Sequence, residues 1–286
     1  MKTIQWYPGH MAKTARQVRE RLSQVDVIFE LLDARAPRSS RNPMMHDLTA
    51  GKPRLIFYTK ADLADATRLK PFIAEAEAEG HATLAINALK GLDVPKIVKM
   101  ARLLAAPVLE KEQRQGRLMR PVRAMILGIP NVGKSTLINQ LVSRRVTKVG
   151  DVAGITKHLQ MIRIHEHLEL LDTPGILWPK FEDQQVAIKL ALLGSIKEHV
   201  VPVDDIVLTA IAWLSEQYPG RMGKHYGFTE TDTQTPLEML DHIGRARGCL
   251  KKGGLIDYER VYDLYLHDLR QGRFGPLVLD GFDTDV

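Results

Sequence analysis

The chain has 286 residues, 44% hydrophobic and 26% charged, an ordinary soluble composition with length enough for one large or two ordinary domains. No window reaches the roughly 18 uncharged apolar residues that span a bilayer. The start, MKTIQWYPGH, lacks the apolar stretch of a secretion signal, and the single Cys249 leaves neither a disulfide framework nor a zinc-ligand spacing, so a cytoplasmic protein is expected.

Met11, Ala15, Val18, Leu22 and Val25 recur at spacings of four and three, one face of an amphipathic helix whose other face carries Lys13, Arg16, Arg19 and Arg21. VIFELLDA (27–34) reads as a buried strand, RLIFY (54–58) as a second, 66–79 as a helix, ATLAIN (82–87) as a strand and 93–105 as a helix. The charged stretch PVLEKEQRQGRLMRP (107–121), bounded by prolines, predicts a flexible connection. Strand and helix then resume with VRAMILG (122–128) and 134–143, and the runs HLQMIRI and HLELLD predict an antiparallel hairpin. From about residue 183 strand patterns stop, and AIKLALLGSI, IVLTAIAWL and YERVYDLYLHDL read as helices. The expected architecture is an α/β domain over 1–182, a mostly parallel sheet with helices on both faces, followed by a small all-helical domain over 183–286. Trp178, Trp213, Tyr258, Tyr262 and Tyr265 are expected in the core.

The net charge of +6 is uneven. Residues 1–120 hold 21 Lys and Arg against 13 Asp and Glu, whereas 186–286 hold 11 against 15. Clustered basic residues favour a polyanionic partner.

GIPNVGKS (128–135) matches G-x-x-x-x-G-K-[ST] in full, between an apolar strand and a helix. Gly128 and Gly133 let the loop turn so that its N–H groups face phosphate oxygens. Lys134 can reach the β- and γ-phosphates, and Ser135 can ligate Mg²⁺. The loop from Asn131 through Val132 to Thr136 is therefore the expected phosphate cradle. Asp172, which closes HLELLD, is placed to hold Mg²⁺, and Gly175 of DTPG offers an N–H to the γ-phosphate. Thr156, in VAGITK between these motifs, could give its hydroxyl to Mg²⁺ when a triphosphate is bound. Ile176 follows DTPG, and it cannot hydrogen-bond a water.

TKAD (59–62) follows the strand RLIFY and resembles the N-K-x-D guanine-recognition motif of GTPases. The resemblance implies that Asp62 accepts from the guanine N1–H and amino group, that the stem of Lys60 lies along the base, and that Thr59 stands where asparagine is usual. INALKG (86–91) resembles the second base loop, with Asn87 and the N–H of Ala88 near the base. These base motifs precede the phosphate loop, the reverse of the ordinary order. WYPGHMAK (6–13), DARAP (33–37), GIPNVGKST, DTPGILWP and the helical tail together make the whole chain similar to the circularly permuted GTPases that act in assembly of the large ribosomal subunit.

That resemblance implies a GTP-hydrolysing factor that binds GTP and GDP, joins the maturing large subunit and its rRNA, and leaves after hydrolysis, with Mg²⁺ and K⁺ as cofactors. It implies that Asn131 helps to hold K⁺, and that a lone monomer turns over slowly until the subunit and potassium assist. For His10 two roles stay open: activating or orienting the water that Ile176 cannot, or capping a helix or meeting an RNA phosphate. Arg245, Arg247, Lys251 and Lys252, set among glycines in RARGCLKKGG, are the expected RNA contacts. The rival readings are a metabolic P-loop kinase or ATPase and an RNA-binding protein with a vestigial nucleotide site.

Overall fold

The computed structural model describes residues 4, 9–143, 160–198, 201–230 and 235–281. They form two compact units: one built from the described residues between 9 and 180 with 278–281, the other from those between 181 and 277 with Ile4.

Six strands form the sheet of the first unit: β1 (Val27–Asp33), β2 (Arg54–Thr59), β3 (Ala82–Ala85), β4 (Val122–Gly128), β5 (Gln160–His165) and β6 (Leu168–Asp172). Their order is β3-β2-β1-β4-β6-β5; all neighbours run parallel except β5, which pairs antiparallel with β6 as a hairpin. Every residue of β1 and β2 is buried, which is why both read as unbroken apolar runs instead of alternating ones. Phe29 and Phe57 meet across them with ring centroids 5.1 Å apart. The chain winds outward from β1 to β3, then returns to lay β4 on the other side of β1. That reversal opens a crevice at the carboxyl ends of β1 and β4, where open α/β sheets bind ligands.

Helices α1 (Gly9–Arg21), α2 (Pro43–Leu48), α3 (Ala66–Ala78), α4 (Val94–Arg114) and α5 (Lys134–Ser143) complete this unit. In α1, Met11 and Val18 are buried as the periodicity predicts, and the helix gives way to a tighter turn at Leu22. Helix α2 has no apolar repeat long enough to read; Asn42 caps it by accepting from the Met45 N–H, and Pro43 supplies its first turn. The expected flexible connection over 107–121 is corrected: α4 runs through Pro107 to Arg114. One proline removes one backbone hydrogen bond, and the strong helix formers Glu110, Lys111, Glu112 and Arg114 carry the helix past it. The remainder is pinned by Arg120, which donates to both Asp26 oxygens at 2.7 and 2.9 Å and to Glu112.

The second unit is helical: α6 (Gln184–Leu192), α7 (Val203–Gln217), α8 (Arg221–Tyr226), α9 (Pro236–Ala246) and α10 (Tyr258–Arg270). Ile211, Leu240, Val261, Tyr265 and Leu269 form its buried centre. Arg270 closes the end of α6 by donating to the carbonyls of Ala191 and Leu192. Of the aromatic residues expected in the core, Tyr265 is fully buried; Trp178, Trp213, Tyr258 and Tyr262 are half-buried.

Candidate functional site

Five strand ends converge on the crevice. The end of β4 carries the phosphate loop, in which Asn131 (φ +58°) and Gly133 (φ +106°) take left-handed backbone to turn the chain into α5. Gly128 has no room for a side chain: a Cβ there would lie 2.9 Å from Val132 and 3.0 Å from the Leu31 carbonyl of β1. Lys134 opens α5, and its ammonium donates to the carbonyls of Gly128 (2.8 Å) and Ile129 (3.0 Å). Burial pushes that ammonium down to about 8, against the opposing pull of the Asp172 carboxylate. Ser135 and Thr136 follow, half-buried, on the first turn of α5.

Asp172 ends β6, beside β4, and is 1% exposed. The next turn folds onto the phosphate loop: Thr173 donates to the Ile126 carbonyl at 2.6 Å, and the Ile176 N–H to the Gly128 carbonyl at 3.2 Å. Gly175 presses against the loop so closely that a Cβ would lie 2.8 Å from the backbone of Pro130. Ile176 itself is core, 2% exposed, and its carbonyl accepts from the Asn42 amide at 2.9 Å. Its side chain therefore packs the turn instead of facing a reacting water. The Asp172 carboxylate and Ser135 hydroxyl are hard oxygen donors flanking an anion cradle, a set that fits Mg²⁺.

The base loop leaves β2. Thr59 lies with its hydroxyl 2.6 Å from the Val132 carbonyl and 3.0 Å from the Leu32 carbonyl, so this threonine braces the phosphate loop from below. Lys60 turns out of the strand with φ +55°, and its ammonium donates to the Asn131 carbonyl (2.9 Å) and to Asp33 (2.8 Å). Asp62 is exposed in the short turn that follows, which is tied to the second base loop by Ala61 N–H donating to the Ile86 carbonyl at 3.1 Å. In that second loop the Asn87 side chain accepts from the N–H groups of Leu89 and Lys90, fixing the turn that presents Ala88.

Sequence reasoning did not assign Asp33 and Arg35 a place in this site. Asp33 ends β1 in register with Thr59, and Arg35 grips it through Nε and Nη2. Burial would raise the Asp33 carboxyl, but Arg35 and Lys60 outweigh it and hold the group well below the usual carboxylate range. The readable signal is an aspartate closing a buried strand whose neighbour ends in TKAD. Thr156 and the His10 side chain lie outside the described residues; only the backbone of His10 is placed, in the first turn of α1.

In the second unit, α9 and α10 are joined by a tight hairpin in which Leu250 bridges Ile256 and the Lys251 N–H donates to the Leu255 carbonyl at 2.8 Å. Arg245, Arg247, Lys251 and Lys252 are all exposed around it. Arg247 is partly committed, donating to the His225 carbonyl and lying over the Tyr226 ring, and Lys251 is 3.8 Å from Asp257. Gly244 lets the hairpin close on α9, because a Cβ would meet Ile256 and Val261 at 3.0–3.1 Å.

A family model described as 50S ribosome-binding GTPase matches residues 123–225. Ribosome biogenesis GTPase A of Bacillus pumilus is 43% identical over 97% of this chain and 98% of its own length. The protein of that name in Bacillus cereus is 44% identical over 97% and 93%. The chain belongs to the ribosome biogenesis GTPase A family. The fold agrees: a GDP-bound YlqF structure from T. maritima superposes with a TM-score of 0.68 at 25% identity, covering 94% of this chain and all of that one. As in the expectation from sequence, the GTPase unit is circularly permuted, with both base loops ahead of the phosphate loop. No helix among the described residues is long and apolar enough to cross a membrane.

Proposed function

We propose that this chain is a monomeric cytoplasmic GTPase that joins the maturing large ribosomal subunit with GTP bound and is released by hydrolysis. The observation that carries the reading is the joining of the phosphate and base loops. Thr59 and Lys60 of TKAD reach the carbonyls of Val132 and Asn131 inside GIPNVGKS. Lys134 and the loop N–H groups receive the phosphates, with Thr136 at the cradle's helical edge, and Gly175 offers its N–H to the γ-phosphate. Asp62 accepts from guanine, the Lys60 stem lies along the base, and the Ala88 N–H meets its far edge beside Asn87. Ser135, Asp172 and Thr156 would hold Mg²⁺, and Asn131 K⁺; these cations would offset charge developing on the transferred phosphoryl group. With Ile176 turned into the core, positioning of water falls to His10 and to the ribosomal partner, so turnover of the lone protein is slow. The exposed Arg245, Arg247, Lys251 and Lys252 fit the phosphates of rRNA.

The test is GTP turnover with and without large subunits, in potassium and in sodium, for the wild type and His10→Ala. Stimulation by subunits and potassium is expected, with His10→Ala reduced by about 10²-fold or more on the subunit. Preference for ATP, or no turnover with subunits and potassium present, would overturn the GTPase assignment. Equal rates for His10→Ala would overturn only the role of His10.

A further inference from the structure

The DARAP stretch has no part in the mechanism above, yet it holds two of the most deeply buried charges in its unit: Asp33 and Arg35 are each 2% exposed. Arg35 donates from Nε to one Asp33 oxygen and from Nη2 to the other, both at 2.9 Å, and its own N–H adds a bond at 3.1 Å. A bidentate pair of this kind is already neutral and satisfied. Asp33 nevertheless takes a second cation, for Lys60 Nζ lies 2.8 Å from Oδ2. The same ammonium donates to the Asn131 carbonyl at 2.9 Å. One carboxylate thus fixes the base-loop lysine onto the phosphate loop, and two cations on one carboxylate leave a net positive charge beside the anion cradle.

Lys60 needs such an anchor. Its backbone is left-handed, outside regular strand geometry, and its long stem loses much rotamer freedom when held. We propose that Asp33 is a positioning residue for guanine-nucleotide binding, which holds Lys60 extended between the two loops before the nucleotide arrives. The cost of ordering the lysine is then met in folding and not on binding. This rests on the reading of Lys60 as the residue along the base.

A double-mutant cycle tests it, with binding of a fluorescent GDP analogue measured for the wild type, Asp33→Asn, Lys60→Met and the double variant. Asp33→Asn is expected to weaken binding about tenfold, the loss of one charge-assisted hydrogen bond. In the Lys60→Met background the same change is expected to cost less than about twofold, because nothing remains to be positioned. An equal loss in both backgrounds would show Asp33 acting on the fold alone, and no loss in the wild-type background would show it idle; either overturns the proposal. Asp33→Asn also strands the Arg35 charge, so the cycle is repeated with Asp33→Asn joined to Arg35→Met, which removes both buried charges. The same Lys60-dependent loss is expected there, with thermal melting as the check on folding. If Lys60→Met binds GDP as tightly as the wild type, the reading of the base loop fails, and the role of Asp33 with it. If Lys60→Met is weak while Asp33→Asn is not, the base-loop reading stands and only the proposal falls.

Discussion

Lys134 is 9% exposed, and burial brings its ammonium from an ordinary value of 10.5 to about 8. Between those values the unfolded chain keeps a proton that the folded protein has given up, so stability rises with pH from about 8 to about 10.5. Bound phosphates act in the opposite direction, because their negative charge favours the ammonium. Nucleotide binding should therefore draw in a proton near pH 8, and GDP affinity should fall as pH rises from 8 to 9. Isothermal titration calorimetry in buffers of different ionisation enthalpy reads that proton directly; binding with no uptake at pH 8 would contradict it. The lysine was legible in the sequence because G-x-x-x-x-G-K-S is local. Thr59 was less so, since the carbonyl it braces lies 73 positions away, and nothing in TKAD alone shows that a threonine standing where asparagine is usual supports the phosphate loop. Ile176 was seen as unable to handle water, but its burial under the phosphate loop appears only in three dimensions.

At the level of elements, the turn after β6 and the loop after β4 behave as one body. Thr173 and the Ile176 N–H bond into β4, and Gly175 lies flat against Pro130. A methyl group at 175 would come within 2.8 Å of backbone, which no side-chain rotation relieves. Gly175→Ala should force the turn away from the phosphate loop at a cost of about 1–3 kcal/mol. Its N–H would move with it, so turnover should fall by about 10²-fold or more while GDP, which lacks the γ-phosphate, binds nearly as before. Single-turnover hydrolysis and GDP titration separate the two; wild-type turnover would show that the turn does not reach the γ-phosphate. Strands and the hairpin were readable from hydrophobic runs. Pro107 was read as a boundary because prolines usually end helices, and the charged residues after it looked like solvated linker. What keeps them helical is their own propensity, and the segment that follows is anchored by Arg120 on Asp26, 94 positions away.

For the whole molecule, permutation means that the nucleotide unit is not complete when its last motif has been made. The sequence placed everything beyond 183 in the helical domain, since VLDG carries no motif and its partners lie some 240 residues earlier. In the fold, Val278 packs among Leu32, Ala34, Ile56 and Tyr58, beneath the strands that carry Asp33 and the base loop. The Leu279 N–H donates to the Arg35 carbonyl at 2.6 Å, and Asp280 accepts from the N–H groups of Arg38 (2.7 Å) and Ser39 (2.9 Å) and from the Ser39 hydroxyl. Residues 278–280 are thus a fixed part of the turn that follows β1, reached only after the helical unit has been traversed. Removing that carboxylate would leave several donors of a buried turn to find other partners. Asp280→Ala should therefore cost about 2 kcal/mol, seen as a fall in the melting temperature of roughly 4–8 °C. Asp280→Asn, which keeps an acceptor oxygen, should recover part of the loss. Melting of Asp280→Ala at the wild-type temperature would show that the turn holds its shape without this carboxylate.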